Sequence, residues 1–276
     1  MKIVVIGGTG LIGSKLVNKL GEHGHEAVAA SPNTGVNTLT GEGLVDVLKG
    51  ASVVVDVSNS PSFEETAAMN FFNSATRNLV KYGQAASVQH YVALSVVGTD
   101  RLAEKRPSDA ERTIRGYFRA KLAQEKLIKE SSIPFSIVHA TQFFEFVKNI
   151  ADSSSDGKNV RLASVLIQPM AAEDVASAVG RVAVGSPVNG IVEVGGPEQF
   201  RLDEFIQQGL TAYNDPRKVI ADPAAGYFGV EVDERTLVPG KDARLGEIRF
   251  ATWLTRSAKP VTTANAQSAK VATASR

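Results

Sequence analysis

Cysteine is absent from the 276 residues of this chain, and histidine is scarce. The absence of cysteine excludes disulfide bonds, a catalytic thiol and thiolate metal ligands. The four histidines, at positions 23, 25, 90 and 139, do not share the spacing of metal ligands. We therefore expect no metal site.

An excess of charge of one sign and long apolar runs are missing as well. The chain carries 30 basic and 29 acidic residues, a net charge of +1, which favours neither a nucleic acid nor an anionic membrane as a partner. No apolar run approaches the roughly 18–20 residues that a helix needs to span a bilayer. The first predicted strand begins at Ile3, which leaves no room for a signal peptide. We expect a soluble, cytoplasmic protein whose partner is a small molecule.

The most informative segment that is present is glycine-rich and reads Gly7-Gly8-Thr9-Gly10-Leu11-Ile12-Gly13. It follows an apolar run at 3–6, which is typical of a buried strand, and it precedes helical spacing of apolar residues over 14–20. In this context Gly7 permits a tight turn, Gly10 lets a pyrophosphate approach the backbone, and Gly13 lets the helix pack closely on the strand. The segment therefore predicts NAD or NADP bound at a helix N-terminus, where free N–H groups carry a partial positive charge.

Short runs rich in Val and Ile alternate with helical patterns over the first 150 residues. The strands are predicted at 3–6, 26–30, 53–57, 91–95 and 135–139, and the later helices around 44–49, 63–82 and 111–131. Strands that alternate with helices predict a parallel sheet covered on both faces. The predicted fold class is α/β, a Rossmann-type doubly wound parallel sheet.

The pattern changes beyond residue 150. A turn-rich connection at 152–157 precedes a strand near 164–168, a helix over 173–184 and a strand at 191–194. We expect residues 1–150 to form the NAD(P)-binding domain. Residues 151–256 are expected to form a small C-terminal lobe that packs on this domain and shapes the substrate pocket. Residues 257–276 are small and polar without periodicity, which predicts a disordered tail.

A second motif lies in the helix predicted between the fourth and fifth strands. Tyr117 and Lys121 are four residues apart, which places both side chains on one helix face. A free phenol has a pKa of about 10, and a neighbouring ammonium lowers it. The pair can therefore exchange a proton with a substrate oxygen, which the hydroxyl of Ser95 at the end of the fourth strand could hold. The structural alternative is a half-buried tyrosine beside a solvated lysine.

These motifs, together with several longer stretches, resemble the atypical short-chain dehydrogenases/reductases, within the NmrA-like group of NAD(P)-binding proteins. The resemblance covers about 250 residues and rests on GGTGLIG at 7–13, VVVDVSNSP at 53–61, ALSVVGTD at 93–100, YFRAKLAQE at 117–125, HATQFFEF at 139–146 and PMAAEDVASAV at 169–179. It implies a Rossmann sheet with a small C-terminal substrate-binding lobe. The glycine motif belongs to the whole superfamily, whereas the later stretches are more specific to this group.

The resemblance also implies roles for individual residues. Tyr117 would be the proton donor, Lys121 would hydrogen-bond the nicotinamide ribose, and Ser95 would polarise the substrate carbonyl. Asp56, Ser58 and Asn59 would pass along the adenosine and ribose. The full set of expected cofactor contacts is Gly7, Thr9, Gly10, Leu11, Ile12, Gly13, Ser31, Asp56, Ser58, Asn59 and Lys121.

Two positions depart from the usual pattern of this group. His139 stands where many relatives have Arg, and Ala30-Ser31 stands where NAD-specific folds have an acid at the end of the second strand. Without that acid nothing repels a 2′-phosphate, so NADP is favoured and NAD stays open. No Arg precedes Arg77, so the usual clamp for the 2′-phosphate is missing.

The residues around the end of the fifth strand are candidates for the substrate pocket. Gln142, Phe143 and Phe144 follow it at the edge of the sheet where ligands bind, and His139 could tune the polarity there. Aromatic side chains could wall a site for a flat or apolar substrate. The alternatives are core packing for the aromatic residues and a buried neutral state for His139.

The leading hypothesis is an NAD(P)H-dependent oxidoreductase that reduces a quinone or another carbonyl compound by hydride transfer. The alternative is a non-catalytic NAD(P)-binding redox sensor of the NmrA-like type, although a sensor has no need of both Tyr117 and Lys121. A nucleotide-sugar epimerase is disfavoured, because such enzymes usually have a larger C-terminal lobe. The resemblance leaves a homodimer open.

Overall fold

The computed structural model describes residues 1–104 and 114–257. The strands are β1 (Lys2–Ile6), β2 (Glu26–Ala30), β3 (Val53–Asp56), β4 (His90–Val96), β5 (Phe135–Ala140), β6 (Asn159–Leu162), β7 (Leu166–Ile167), β8 (Gly190–Gly195), β9 (Phe200–Arg201), β10 (Lys218–Ala221) and β11 (Arg244–Leu245). The α-helices are α1 (Leu11–Glu22), α2 (Leu44–Leu48), α3 (Glu65–Ala85), α4 (Thr99–Glu104), α5 (Arg115–Lys129), α6 (Val147–Ser153), α7 (Ala172–Val184), α8 (Leu202–Ala212) and α9 (Phe250–Ser257).

Seven strands form one parallel sheet in the order β2-β1-β3-β4-β5-β8-β11. The chain runs from β1 outward to β2 and then returns to the other side of β1 to form β3. This reversal opens a crevice at the carboxyl ends of β1 and β3, where α/β sheets bind their ligands. The predicted Rossmann-type α/β fold is confirmed.

The central strands form because their residues suit a sheet that is covered on both faces. Residues 3–6 of β1 and all of β3 are buried, and branched apolar side chains pack well on such a surface. On one face, α1 and α7 pack over β1 and β5. On the other face, α2, α3 and α5 contribute to a second apolar cluster. The helices packed on both faces therefore fix the positions of the carboxyl ends of the strands.

Residues beyond 150 have two roles in the fold. The helix α7 and the strands β8 and β11 complete the main sheet and its covering layer, so the predicted boundary at 150 does not coincide with the end of the sheet. The helices α6, α8 and α9 pack with α3 and α5 in a third apolar cluster. The last described residue, Ser257, ends α9. The predicted tail beyond it lies outside the described residues.

No helix within residues 1–104 and 114–257 is long and apolar enough to cross a membrane. The same residues contain no cluster of three or more His, Asp or Glu that could hold a metal ion.

Candidate functional site

The glycine turn after β1 lies closely against two neighbouring strands. Gly7 has a φ of +76°, and a Cβ there would lie 2.9 Å from the Cα of Ser58, just after β3. A Cβ on Gly8 would lie 2.6 Å from the Cα of Ala29 in β2. The N–H of Gly7 donates to the carbonyl of Ala30 at 2.8 Å. Only glycine fits at both positions, and the turn is therefore fixed at the crevice of the sheet.

Gly13 was expected to pack directly on the strand. It packs instead on the glycine turn that follows the strand. A Cβ on Gly13 would lie 2.1 Å from the carbonyl oxygen of Gly7 and 2.7 Å from the Cα of Gly8. The first turn of α1 is thus held against the turn that precedes it. This contact aims the helix N-terminus at the crevice.

The N-terminus of α1 has no anionic group of its own. Its N-cap, Gly10, makes no side-chain hydrogen bond to the helix, and the first turn contains no acid. The N–H of Ser14 already donates to the carbonyl of Gly10 at 3.0 Å, so the N–H groups of residues 11–13 are those that a helix leaves without a partner. A Cβ on Gly10 would meet only the oxygen of Gly7 within 4 Å. This open, partially positive turn fits a pyrophosphate.

The side chains of the glycine segment differ in what they can contribute. Ile12 is buried in the core between the sheet and α1. Its predicted contact with the cofactor is therefore limited to its N–H group. Thr9 is exposed, and so is Leu11, with 43% of its surface accessible. Both side chains are open to solvent beside the N-terminus of α1.

The end of β2 presents a buried hydroxyl that has no partner. Ser31 is 6% exposed, and among the described residues none hydrogen-bonds to its Oγ. Its N–H donates to the Oγ1 of Thr34 at 2.9 Å, within the 3₁₀ turn Pro32–Thr34. A buried polar atom without a partner costs free energy, and a ligand or a water compensates for it. The position suits a contact with the adenosine end of a dinucleotide.

A cavity lies beside the segment that follows β3. Its volume is about 240 Å³, and Leu39, Ser60, Pro61 and Phe71 are among its lining residues. Asn78 on α3 holds one wall in place by donating to the carbonyls of residues 38 and 39. The recess is mainly apolar, and its wall at Ser60 begins two residues after Ser58, which the glycine turn approaches.

Asp56, at the end of β3, is enclosed within the protein and is 1% exposed. One of its oxygens accepts hydrogen bonds from the N–H and the hydroxyl of Ser58, at 3.0 and 2.6 Å. The other accepts from Tyr91 at 3.3 Å and from the amide of Gln124 at 2.9 Å. Both carboxylate oxygens of Asp56 therefore accept hydrogen bonds, and those from Ser58 order the turn after β3.

Tyr117 lies at the crevice beside the segment that follows β3. Its side chain is 8% exposed, and its hydroxyl donates to the Oδ1 of Asn59 at 2.9 Å. The ring of Phe63 packs edge-on against Tyr117 with 5.2 Å between the ring centroids, and half of Phe63 faces solvent. The phenol therefore reaches the same edge of the sheet as the glycine turn.

Lys121 is buried one helical turn below Tyr117, but it has other partners. Its Nζ donates to the carbonyl of Leu94 at 2.9 Å and to the side-chain oxygen of Gln124. It also lies 4.5 Å from the centroid of the Phe72 ring. Gln124 in turn donates to Asp56, so a hydrogen-bond chain joins the ammonium to the carboxylate.

The expected lowering of the pKa of Tyr117 by Lys121 is wrong. Burial raises the pKa of the Tyr117 phenol well above its usual range, because a phenolate would lose its hydration there. Burial also lowers the pKa of Lys121 to about 8, although Asp56 and Glu125 favour its charged form. Tyr117 is therefore held as a neutral hydrogen-bond donor.

Ser95 is buried and committed to a neighbour other than Tyr117. Its hydroxyl donates to the Oε1 of Glu125 at 2.7 Å. His139 bonds to the same oxygen at 2.9 Å, and Lys129 bonds to the other carboxylate oxygen at 3.3 Å. Burial alone would raise the pKa of Glu125, but the hydrogen bonds and charges of these neighbours lower it to about 2. Both Ser95 and His139 therefore belong to a buried cluster between the sheet and α5.

Replacing Glu125 by Gln is expected to lower the free energy of unfolding at pH 7 by about 1–3 kcal/mol, because charge-assisted hydrogen bonds are lost. The folded-state pKa of Glu125 lies below its unfolded value. Its contribution is therefore complete above the unfolded pKa and is lost as the pH falls through about 4 towards 2. Denaturant unfolding between pH 7 and pH 2 should show a shallower acid dependence for the variant.

Glu65→Gln, which removes an exposed ion pair with Arg119, is the control and should change stability by less than about 0.5 kcal/mol. Equal acid dependence in wild type and Glu125→Gln would contradict this account of the cluster.

The residues that follow β5 divide between core and crevice. Phe144 is fully buried, with its ring 4.9 Å from that of Phe250, so the core-packing alternative describes it. Phe143 is half-buried and stacks on Phe146 with 5.3 Å between the ring centroids. Gln142 is 5% exposed, and within the described part of the chain neither polar atom of its side chain has a hydrogen-bond partner. Of these residues, Gln142 has the most unused capacity to bind a polar group.

Sequence reasoning missed two residues of the buried network, Gln124 and Glu125. The signal for Glu125 was present, because residues 117, 121 and 125 continue the same spacing of four along α5. Gly8 was missed because the need for glycine there comes from Ala29 on a different strand.

Three solved structures illustrate what this chain is similar to. A short-chain dehydrogenase/reductase superfamily protein from Agrobacterium tumefaciens with bound NAD has a TM-score of 0.67 and 17% identity, covering 94% of this chain and 96% of that one. The UDP-glucose 4-epimerase of Thermus thermophilus with NAD has a TM-score of 0.62 and 16% identity, covering 95% and 94%. The dTDP-4-dehydrorhamnose reductase of Bacillus anthracis with NADP has a TM-score of 0.61 and 14% identity, covering 91% and 92%. At this level of identity the likeness concerns the fold.

The size argument against an epimerase is not supported, because this epimerase matches the chain over nearly the full length of both proteins. No curated protein matches the sequence. A family model described as NAD(P)H-binding matches residues 7–183, from the glycine turn to the last turn of α7. This chain belongs to the NAD(P)H-binding family.

Proposed function

We propose that this protein is an NADPH-dependent reductase of a carbonyl compound or quinone. The observation that carries the proposal is the hydroxyl of Tyr117, held 2.9 Å from Asn59 at the edge of the sheet that also bears the open helix N-terminus. A neutral donor at that place is suited to a reaction in which a substrate oxygen gains a proton.

Residues of the glycine turn and its surroundings would hold the cofactor. The N–H groups of residues 11–13 would bind the pyrophosphate, and the recess beside Leu39 and Pro61 would take the adenine. Asn59 and the remaining donor of the Lys121 ammonium would bind the ribose next to the nicotinamide. Asp56 is a positioning residue, since its oxygens are already used to hold Ser58 and Gln124.

The preference for NADP rests on the end of β2. Ser31 offers a buried hydroxyl without a partner, and no acid stands there to repel a 2′-phosphate. The hydroxyl of Ser31 and the exposed side-chain amide of Asn33 would bind that phosphate in place of an arginine, because the N–H groups of Ser31 and Thr34 already donate within the turn.

Replacing Ser31 by Asp is expected to raise the Kd of NADPH by about 10- to 100-fold, because a carboxylate would lie beside the 2′-phosphate. The Kd of NADH should stay within about threefold of its wild-type value or fall. Titration of both nucleotides by fluorescence measures the two constants, with Ser31→Ala as a control that removes the hydroxyl without adding charge. An unchanged Kd for NADPH in the Asp variant would show that the 2′-phosphate lies elsewhere.

Tyr117 would supply the proton in the reaction. When bound, NADPH supplies the hydride, and the reduced carbonyl becomes an alcohol once its oxygen has taken the proton of the phenol. The Oδ1 of Asn59 accepts from the hydroxyl and orients it before substrate enters, and solvent returns a proton to the phenolate after the transfer. Asp56 holds the turn after β3 through Ser58, and Lys121 is linked to Asp56 through Gln124.

The apolar surroundings of the phenol favour a flat or apolar substrate. Phe63 packs edge-on against Tyr117 and is 52% exposed to solvent. The stacked rings of Phe143 and Phe146 follow β5. The cluster formed by α6, α8 and α9 would act as the substrate lobe over this edge. A nucleotide sugar is a second class of substrate. It is favoured because a structural neighbour named as a UDP-glucose 4-epimerase matches this chain over 95% of this chain and 94% of its own.

A redox sensor is the competing function, and one observation favours it. Lys121 contacts Leu94 and Gln124, and burial raises the pKa of Tyr117. The two residues thus lack the mutual contact that the proton-transfer pair was expected to have.

The test is NADPH and NADH oxidation by the wild-type protein with aromatic aldehydes, 1,4-naphthoquinone and dTDP-linked keto sugars. Turnover of an aldehyde or the quinone supports the reductase and identifies its substrate class. Micromolar NADPH binding without turnover of any compound would replace it with the sensor.

A further inference from the structure

The proposed reductase needs a second hydrogen-bond donor at the substrate oxygen, and Ser95 is poorly placed to be that donor. Its side chain is 3% exposed, and its hydroxyl proton is donated to the carboxylate of Glu125. This inference rests on the proposed function and concerns which residue completes its site.

A second buried tyrosine in the apolar cluster that contains Tyr117 comes from the C-terminal half of the chain. Tyr227 is 5% exposed and belongs to the same apolar cluster as Tyr117. Burial raises the pKa of Tyr227, and the neighbouring phenol of Tyr117 raises it further. Within the described residues nothing hydrogen-bonds to the Tyr227 hydroxyl, and this oxygen is not among the completely enclosed polar atoms. It is a neutral donor with an unused hydrogen bond.

A tight turn holds Tyr227 in this position. Its N–H donates to the carbonyl of Val230 at 2.8 Å, and the N–H of Val230 donates back at 3.1 Å. The two residues between them have positive φ, 48° at Phe228 and 75° at Gly229. A bulky residue such as Phe in the left-handed region is strained, and strain of this kind is concentrated at functional sites.

The same turn is attached to the helix that carries Tyr117. The carbonyl of Phe228 accepts a hydrogen bond from the N–H of Ile114 at 3.0 Å, one residue before α5 begins. The ring of Phe228 packs edge-on against that of Tyr227, with 4.8 Å between the centroids. A Cβ on Gly226 would lie 2.3 Å from the carbonyl oxygen of Val230, so the turn admits no side chain there. These contacts attach the turn that carries Tyr227 to the start of α5, about one helical turn before Tyr117.

We propose that Tyr227 is the second hydrogen-bond donor to the substrate oxygen, in the role that the sequence pattern assigned to Ser95. In the reduction, the carbonyl oxygen accepts a hydrogen bond from each phenol and takes its proton from Tyr117, while Tyr227 keeps its own proton throughout. Two neutral donors stabilise the negative charge that develops on the oxygen. The preferred substrate is an aromatic aldehyde or a quinone, because an aromatic ring packs edge-on against each phenol, Phe63 against Tyr117 and Phe228 against Tyr227.

The test compares Tyr227→Phe with Ser95→Ala in the full-length protein. On the aldehyde or quinone that wild type reduces, we expect the kcat of Tyr227→Phe to fall by about 10²- to 10³-fold, as for the loss of one donor to a developing oxyanion. Ser95→Ala should lower kcat by less than about fivefold. Tyr82→Phe, on the outer part of α3, removes a phenol far from this edge and should leave kcat unchanged.

A binding measurement separates a contact with substrate from a packing role. In the presence of NADP, which allows no reduction, the Kd of the same aldehyde or quinone should rise by about 2- to 10-fold in Tyr227→Phe, corresponding to one neutral hydrogen bond. The Kd of NADPH and the Tm should be unchanged, because the ring that packs on Phe228 is kept.

The failures are distinguishable. Wild-type turnover with a Tyr227→Phe variant whose kcat stays within threefold of wild type would overturn the role of Tyr227 and leave the reductase intact. A large loss in Ser95→Ala with none in Tyr227→Phe would return the role to Ser95. Absence of wild-type turnover on every carbonyl compound and quinone would overturn the reductase and this inference together.

Discussion

Replacing Tyr117 by Phe is expected to lower the kcat for aldehyde reduction by about 10²- to 10⁴-fold, the usual contribution of a positioned proton donor. The Kd of NADPH should change by less than about threefold, because the turn at 7–13 is untouched. The ring of Tyr117 packs against Phe63, Phe72 and Phe118, and Phe preserves those contacts. Asn59 loses the hydrogen bond donated by the Tyr117 hydroxyl. Because Asn59 is exposed, a water molecule donates to it instead. The free energy of unfolding should therefore fall by less than about 1 kcal/mol.

Steady-state kinetics and NADPH titration on the purified variant test this expectation, with Tyr82→Phe as a matched control. Tyr82 is half-buried in the last turn of α3, outside the lobe formed by α6, α8 and α9. Full activity of Tyr117→Phe on an aldehyde would remove Tyr117 from the chemistry. A quinone is the less stringent substrate here, because its reduction depends less on a proton delivered at the same step.

Replacing Gly13 by Ala is expected to have the largest effect on both stability and cofactor binding. The added Cβ would lie 2.1 Å from the carbonyl oxygen of Gly7 and 2.7 Å from the Cα of Gly8. Both are backbone atoms of a turn held between strands, so neither can move aside easily. We expect a loss of about 3 kcal/mol or more in the free energy of unfolding. NADPH binding should weaken by at least about 100-fold, because the helix N-terminus is pushed away from the turn.

Gly21 provides a control within the same helix. A Cβ at Gly21 would meet nothing within 4 Å. Gly21→Ala should therefore stabilise the protein by about 0.5–1 kcal/mol through reduced backbone entropy. Denaturant unfolding and NADPH titration of both variants measure the contrast. If Gly13→Ala binds NADPH as tightly as Gly21→Ala does, the turn is not the pyrophosphate site.

The sequence predicted those parts of the fold that depend on local pattern. The strands β1 to β5 are within one residue of their predicted ends, because branched apolar residues in a sheet covered on both faces form continuous runs. The strands β9 and β11, of two residues each, were not predicted, and β7 was predicted only as part of a longer strand near 164–168. Elements so short are held by their partners and carry too little pattern to be recognised.

The candidate site was predictable only as far as its residues are linked by local spacing. The glycine turn and the helical spacing of Tyr117 and Lys121 were read correctly. A shared helix face did not mean shared partners, because this face of α5 is buried and its residues reach different neighbours, Asn59 from Tyr117 and Leu94 from Lys121. The commitment of Ser95 to Glu125 depends on packing between β4 and α5. The place of Tyr227, 110 positions after Tyr117, depends on the whole C-terminal half of the chain.

The most direct measurement of the central claim follows the hydrogen itself. The wild-type protein is incubated with benzaldehyde and NADPH that carries deuterium at both C4 positions of the nicotinamide, and the product is analysed by mass spectrometry. The account predicts benzyl alcohol with one deuterium on the alcohol carbon, formed in equal amount to the NADPH oxidised. NADPH that binds but is not consumed, with no labelled alcohol formed from benzaldehyde or from a wider set of aromatic aldehydes, would contradict it.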